Sequence, residues 1–167
     1  MKVVVGIDLG STTSKAVILN ERAEVIGRGI TNSRSNYDLA VDIARLDAFT
    51  DARFNRLESH LLRVLHNEVL VKKLLAYLAS EFRQREYRQH LTWLSDALPD
   101  SEGTRQIIQR MHESARLHFR FTKVRPGFFR DLATSDYMKF AQELSDAGQQ
   151  SFESLATAFD KAILLAE

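Results

Sequence analysis

Between Asp8 and Lys15 the chain reads Asp-Leu-Gly-Ser-Thr-Thr-Ser-Lys, and these residues carry its densest chemistry. A carboxylate such as Asp8 holds Mg²⁺, directly or through water, in sites where phosphate oxygens fill the remaining positions. Gly10 opens backbone conformations closed to other residues and lets a ligand approach the main chain. Ser11, Thr12 and Thr13 add three hydroxyls to their backbone N–H groups, and Lys15 supplies a cation for phosphate oxygens. Donors that surround an anion, with a carboxylate beside them to manage its metal, make a phosphate cradle. The plainer alternative is a β-turn rich in Gly, Ser and Thr. The order Asp-x-Gly-Ser-Thr-x-x-Lys sits between two apolar runs, Val3 to Val5 and Ala16 to Leu19, and this weighs toward nucleotide phosphate. It is not a P-loop, which ends in Gly-Lys-Ser/Thr and opens a helix.

Such a turn has to be held by strands, and the sequence predicts three of them in an antiparallel meander: residues 2–9, 14–20 and 23–32. In the third, Val25, Gly27, Gly29 and Thr31 alternate with Ile26, Arg28, Ile30 and Asn32, and Ile26 with Ile30 is expected to form the buried face. Gly27 and Gly29 weaken an isolated strand, so they mark a bulge or a close approach to another backbone. Thr31 to Asn36 is a polar hinge in which Ser33, Ser35 and Asn36 are candidate helix N-caps. From Tyr37 to His66 apolar residues recur in steps of three and four (Leu39, Ile43, Leu46, Phe49, Phe54, Leu57, Leu61, Leu65), one stripe of an amphipathic helix. A break is expected near Asn67, after which the stripe resumes and runs to Pro99. Further helices are expected from Thr104 as cap, from Ser135-Asp136 with Gly148 as C′ residue, and from Ser151; Pro126-Gly127 reads as a turn. The expected fold is therefore α+β: a short antiparallel β-meander over residues 1–35, then a mainly α-helical bundle over residues 36–167.

The remaining features narrow the function classes. Lys and Arg total 23 against 22 Asp and Glu, a net charge of +1, so no global field recruits nucleic acid or a membrane surface. With no cysteine, the chain has no disulfide and no thiolate metal ligand, which fits a reducing, cytoplasmic setting. No leader peptide and no 18-residue apolar run is legible. His60, His66, His90, His112 and His118 lack the spacing of a zinc helix and read as surface or packing residues. The stretch from His118 to Arg130 interleaves aromatics with cations, a pattern that can bind single-stranded nucleic acid or an anionic ligand, here a partner subunit or an acyl-CoA phosphate before nucleic acid. With balanced charge, inward phenylalanines under solvated cations explain it better. Trp93 is expected in the core, and Arg83, Arg85 and Arg88 on a solvated face mixed with Glu81 and Glu86.

The stretch GIDLGSTTSKAVILNE, Gly6 to Glu21, resembles the first phosphate motif of the actin, sugar-kinase and heat-shock-chaperone ATPase superfamily. Its continuation EVIGRGITNSRSNYDLAVDIA, Glu24 to Ala44, is similar to the ATPase subunits of benzoyl-CoA reductase and, more loosely, to the activator ATPases of 2-hydroxyacyl-CoA dehydratases. The resemblance covers about the first 50 residues, to Thr50. It implies ATP and Mg²⁺ as cofactors, with Asp8 handling the metal, Gly10, Ser11, Thr12 and Thr13 cradling phosphate, and Lys15 neutralising charge on the transferred group. It also implies a related ATPase subunit and an acyl-CoA reductase or dehydratase as partners, with a [4Fe–4S] cluster bridging the ATPase pair. The departures are specific. This chain has no cysteine to hold a cluster, and neither the family's second phosphate loop nor its adenosine-binding glycine loop follows Gly29. The expectation is an N-terminal part of a larger ATPase subunit, inactive by itself. The alternative is a helical interaction module with a remnant nucleotide-fold hairpin; a sugar-kinase-like ATPase ranks third.

Overall fold

The computed structural model describes residues 2–33, 37–121 and 129–163; the expected caps Ser35 and Asn36 and the expected turn at Pro126-Gly127 lie outside them. Three strands come first, β1 (Val4–Leu9), β2 (Thr13–Leu19) and β3 (Val25–Asn32). They form one antiparallel sheet in the order β1-β2-β3. Five helices follow: α1 (Tyr37–Leu65), α2 (Glu68–Ala97), α3 (Glu102–Phe121), α4 (Phe129–Asp146) and α5 (Phe152–Ala162). The fold is α+β, with the meander leading as expected. Among the described residues no helix is long and apolar enough to cross a membrane. The chain divides into two compact units, Met1–Ala76 and Tyr77–Glu167, and the first holds the sheet together with α1.

In the first unit the hairpin registers place side chains unambiguously. Ser14, Ala16 and Ile18 of β2 stand opposite Thr31, Gly29 and Gly27 of β3, and all six are buried. This face, and not the one bearing Ile30, meets α1; Ile30 is exposed, while Ile26, beside the irregular register at Ile18 and Leu19, is half-buried and packs against the same cluster. The reason is backbone proximity. A Cβ built on Gly27 would lie 2.2 Å from the Ala48 carbonyl oxygen, and one on Gly29 would lie 2.0 Å from that of Ala44. A helix seated that deeply admits only small residues at its seam, so Ala40, Ala44 and Ala48 are buried in place of the predicted leucine stripe, and Leu46 is 62% exposed. Glycine in a strand is weakening by itself; here it is the condition for this contact.

The helix also closes the outer edge of the sheet. The Arg28 backbone N–H donates to Asp51 Oδ2 (2.9 Å), and Asn55 Nδ2 donates to the Ile26 carbonyl (3.1 Å), so side chains of α1 occupy groups that an exposed edge would offer to another chain. At the far end, α1 stops at His66, whose φ of 49° breaks the helix. Asn67 Oδ1 then accepts the Leu70 N–H (3.0 Å) and starts α2 at the expected break.

The second unit is built on one apolar cluster. Leu91, Leu94, Ile107, Met111, Ala115, Tyr137, Phe140, Ala141, Leu144, Leu155, Phe159 and Ile163 are all buried in it. Three expectations are corrected here. Ser101, not Thr104, caps α3, its Oγ accepting the Thr104 N–H at 3.1 Å. Helix α4 already includes Phe129, ahead of the expected start at Ser135, and the Phe129 ring packs on Tyr87 (5.4 Å between centroids) and His90 (4.8 Å). Trp93 is 45% exposed, lying edge-on to His90 at 4.9 Å. Gly148 does close α4 at φ 68°, with its N–H on Ser145 O (2.9 Å) and the Gln149 N–H on Leu144 O (3.1 Å).

Tyr137, fully buried, stacks on Phe159 at 4.4 Å. Burial pushes its phenol up to about 12, with the neighbouring Thr104 side chain working weakly in the opposite direction, and burial together with the Asp136 charge raises Tyr87 further. A neutral group whose pKa is raised by folding contributes stability that is complete below its unfolded pKa of about 10 and is lost as pH rises through the folded value. The urea midpoint should therefore fall steadily between about pH 10 and pH 12, and the Tyr137→Phe chain should show a shallower fall. An identical profile in that variant would remove Tyr137 from the alkaline transition.

Candidate phosphate loop

The β1–β2 turn is short because its flanking registers leave it no slack. Leu9 pairs with Ser14 and Asp8 with Lys15, which leaves Gly10 to Thr13 to reverse the chain. The Gly10 N–H donates to the Thr13 carbonyl at 3.0 Å. A Cβ on Gly10 would stand 2.7 Å from that same oxygen, so the turn excludes any side chain at residue 10. The need for glycine is spatial: the carbonyl occupies the place a Cβ would take.

Below the turn a pair of serines ties it down. Ser33 Oγ donates to the Gly10 carbonyl at 2.5 Å, and its backbone N–H donates to the Thr12 carbonyl at 2.9 Å. Ser14 Oγ and Ser33 Oγ share a hydrogen bond of 2.9 Å, and both residues are fully buried. Sequence reasoning read Ser33 as a helix cap. Its place in the loop depends on β3 returning beside β2, and only the alternation of buried and exposed positions in β3 could have hinted at it.

The opposite face of the hairpin carries the reactive groups. Residues opposite one another across antiparallel strands project to the same face. Asp8 and Lys15 are such a pair, and Thr13, two residues before Lys15, points the same way opposite Asn32. Asp8, Ser11, Thr12 and Lys15 are exposed and Thr13 is half-buried. No hydrogen bond or ion pair within the described residues engages the Asp8, Ser11, Thr12 or Lys15 side chains, nor the Ser11 and Thr12 amides. The structure thus brings together every residue that the sequence singled out for phosphate, with donors unoccupied and a cation beside a carboxylate.

The donor set fits MgATP in part. One carboxylate with phosphate oxygens and water is the usual protein share of a Mg²⁺ shell. Among the described residues no cluster of three or more His, Cys, Asp or Glu side chains could hold a metal unaided. An iron–sulfur cluster does not fit this chain, which has no thiolate to ligate one. Compared with protein-family models, curated proteins and solved structures, the chain finds no match.

Proposed function

We propose that the chain is the nucleotide-phosphate end of an ATP-hydrolysing subunit of the benzoyl-CoA reductase type, working in the cytoplasm with a related ATPase subunit and an acyl-CoA reductase or dehydratase. One observation supports it above the others: the turn carrying Ser11 and Thr12 is braced from beneath by Ser33 while Asp8 and Lys15 flank its open face. Bracing of that kind fixes donors before a ligand arrives, which is what electrostatic stabilisation of a transferring phosphoryl group requires. On this reading Asp8 holds Mg²⁺, the Ser11 to Thr13 hydroxyls and amides meet phosphate oxygens, and Lys15 neutralises charge as the terminal phosphoryl leaves. ATP with Mg²⁺ supplies the hydrolysable bond. A [4Fe–4S] cluster would have to be held by residues other than these.

The test is Asp8→Asn in the polypeptide as its source makes it. Mg²⁺-dependent ATP hydrolysis should fall roughly tenfold or more, in the range seen when groups that orient a metal are removed, with far-UV circular dichroism unchanged. Hydrolysis equal to that of the unaltered protein would rule out the metal-holding role. The helical interaction module would then be the better reading.

A further inference from the structure

The two edges of the sheet are finished differently. At β3, Asp51 and Asn55 of α1 occupy the Arg28 N–H and the Ile26 carbonyl. At β1 no side chain among the described residues caps the main chain from outside, and Val4, Ile7 and Leu9 are exposed. The hairpin register shows which backbone groups face outward. The Gly10 N–H bonds to the Thr13 carbonyl, so by alternation Asp8, Gly6 and Val4 exchange hydrogen bonds with β2. Val5, Ile7 and Leu9 direct their N–H and C=O groups away from the sheet. Natural edges are guarded by a proline, a bulge or a charge. From Val4 to Ile7 β1 has none of the three.

We infer that β1 is the pairing strand of a symmetric dimer, meeting β1 of a second copy antiparallel across a two-fold axis at Val5. Charge complementarity selects both the partner and the register. Lys2 and Asp8 are the only charged residues from Lys2 to Leu9. Because the outward groups belong to odd-numbered residues, self-pairing must set odd residues opposite odd ones. Centred on Val5, the pairing sets Lys2 opposite Asp8 of the second copy, and symmetry repeats the match at the other end. Centred on Val4, Gly6 or Ile7, it leaves both charges unmatched. The side facing α1 agrees with the Val5 register. Val3 meets Ile7 and Val5 meets Val5, extending the cluster of Ala16, Ile18, Ala44 and Ala48 on which Val3 and Val5 already pack. On the opposite side Val4 lies over Gly6, which has no side chain to collide with it. Helix α1 is seated chiefly on β3 and β2, toward the other edge. Exposed ion pairs add little affinity, so these fix the register. The main-chain hydrogen bonds of strand addition supply the affinity.

Asp8 also serves the Mg²⁺ reading, so association is measured without nucleotide or Mg²⁺ and does not rest on that reading. In sedimentation equilibrium the mass of the whole chain should rise from 19.1 kDa toward twice that value between micromolar and millimolar protein. Lys2→Asp and Asp8→Lys should each weaken the dimer about tenfold, since like charges then face each other at both ends. The double variant, with the charges exchanged, should recover most of the affinity. Ile7→Pro should abolish pairing with circular dichroism unchanged, because the N–H it removes is not bonded to β2. It keeps the test sharp if a charge variant fails to fold. A mass that stays at 19.1 kDa overturns the dimer. Slow exchange of the Val5 and Ile7 amides in such a monomer would assign the edge to another segment. A dimer that survives Ile7→Pro, or a double variant no tighter than the single ones, overturns the pairing as well.

Discussion

Gly29→Val should lower the stability of the sheet–helix unit by about 3 kcal/mol, at the upper end of what overpacking costs. The new Cβ would stand 2.0 Å from the Ala44 carbonyl oxygen, 2.7 Å from the Ala48 nitrogen and 2.9 Å from Asp47 Cβ. Two of those three atoms are helix backbone, which cannot swing aside as a flexible side chain would. Helix α1 would have to lift from the sheet by an ångström or more. That movement would open the cluster of Ala16, Ile18, Ala44 and Ala48 and draw Asp51 and Asn55 away from the edge of β3. Gly27→Val should behave alike, since its Cβ would meet Ala48 O at 2.2 Å and the Ala52 nitrogen at 2.9 Å. Gly6→Ala is the control: its nearest neighbour would be Val17 Cγ2 at 3.4 Å, an ordinary contact, and the change should be neutral or slightly stabilising. Because Trp93 belongs to the other unit, its fluorescence is the wrong probe. Hydrogen exchange of the β2 and β3 amides reads the effect directly. Protection in Gly29→Val within about 0.5 kcal/mol of native, the range of harmless surface changes, would show that α1 is not seated as described.

The glycines also show which parts of the fold were legible. Strand positions followed from β-branched runs and turn residues, and Gly148 ended α4 where its type predicts. The buried side of β3 was not legible from hydrophobicity. The pattern favours Ile26 and Ile30; Ile26 does pack against the cluster, but tertiary approach buries Gly27, Gly29 and Thr31 fully and leaves Ile30 exposed. The same approach selected alanines over leucines on α1, so the apolar period of the helix was read correctly and its face was not. In the candidate site, Asp8 and Lys15 were legible as neighbours because a tight hairpin pairs residues placed symmetrically about its turn. What the sequence hid was the support: Ser33 is far along the chain from Gly10, and no local rule joins them. The half-burial of Arg88, expected on a solvated face, was hidden likewise, since it depends on α3 packing alongside α2.

Ser33→Ala should cost about 2 kcal/mol, a large loss for one hydroxyl, because two buried or half-buried groups depend on it. The Gly10 carbonyl loses its donor, Ser14 Oγ loses its partner, and Ser14 is fully buried, with no solvent to replace the lost bond. Ser14→Ala should cost only about 1 kcal/mol, since Ser33 keeps its bond to Gly10 O. In the double variant no buried hydroxyl is left unpaired, so the combined loss should fall short of the sum by roughly 0.5–1 kcal/mol, the coupling expected of residues in one network. Exact additivity would mean that the two serines do not share the bond. The function follows the same order. If the Gly10 to Thr13 turn cradles phosphate, freeing the Gly10 carbonyl should loosen the Ser11 and Thr12 donors, so MgATP should bind more weakly to Ser33→Ala than to Ser14→Ala. Calorimetric titration of MgATP into the two variants separates the roles. Equal weakening in both would tie the loss to general stability, whereas a deficit confined to Ser33→Ala would tie it to the turn, because only Ser33 reaches from the buried face to the backbone of the loop.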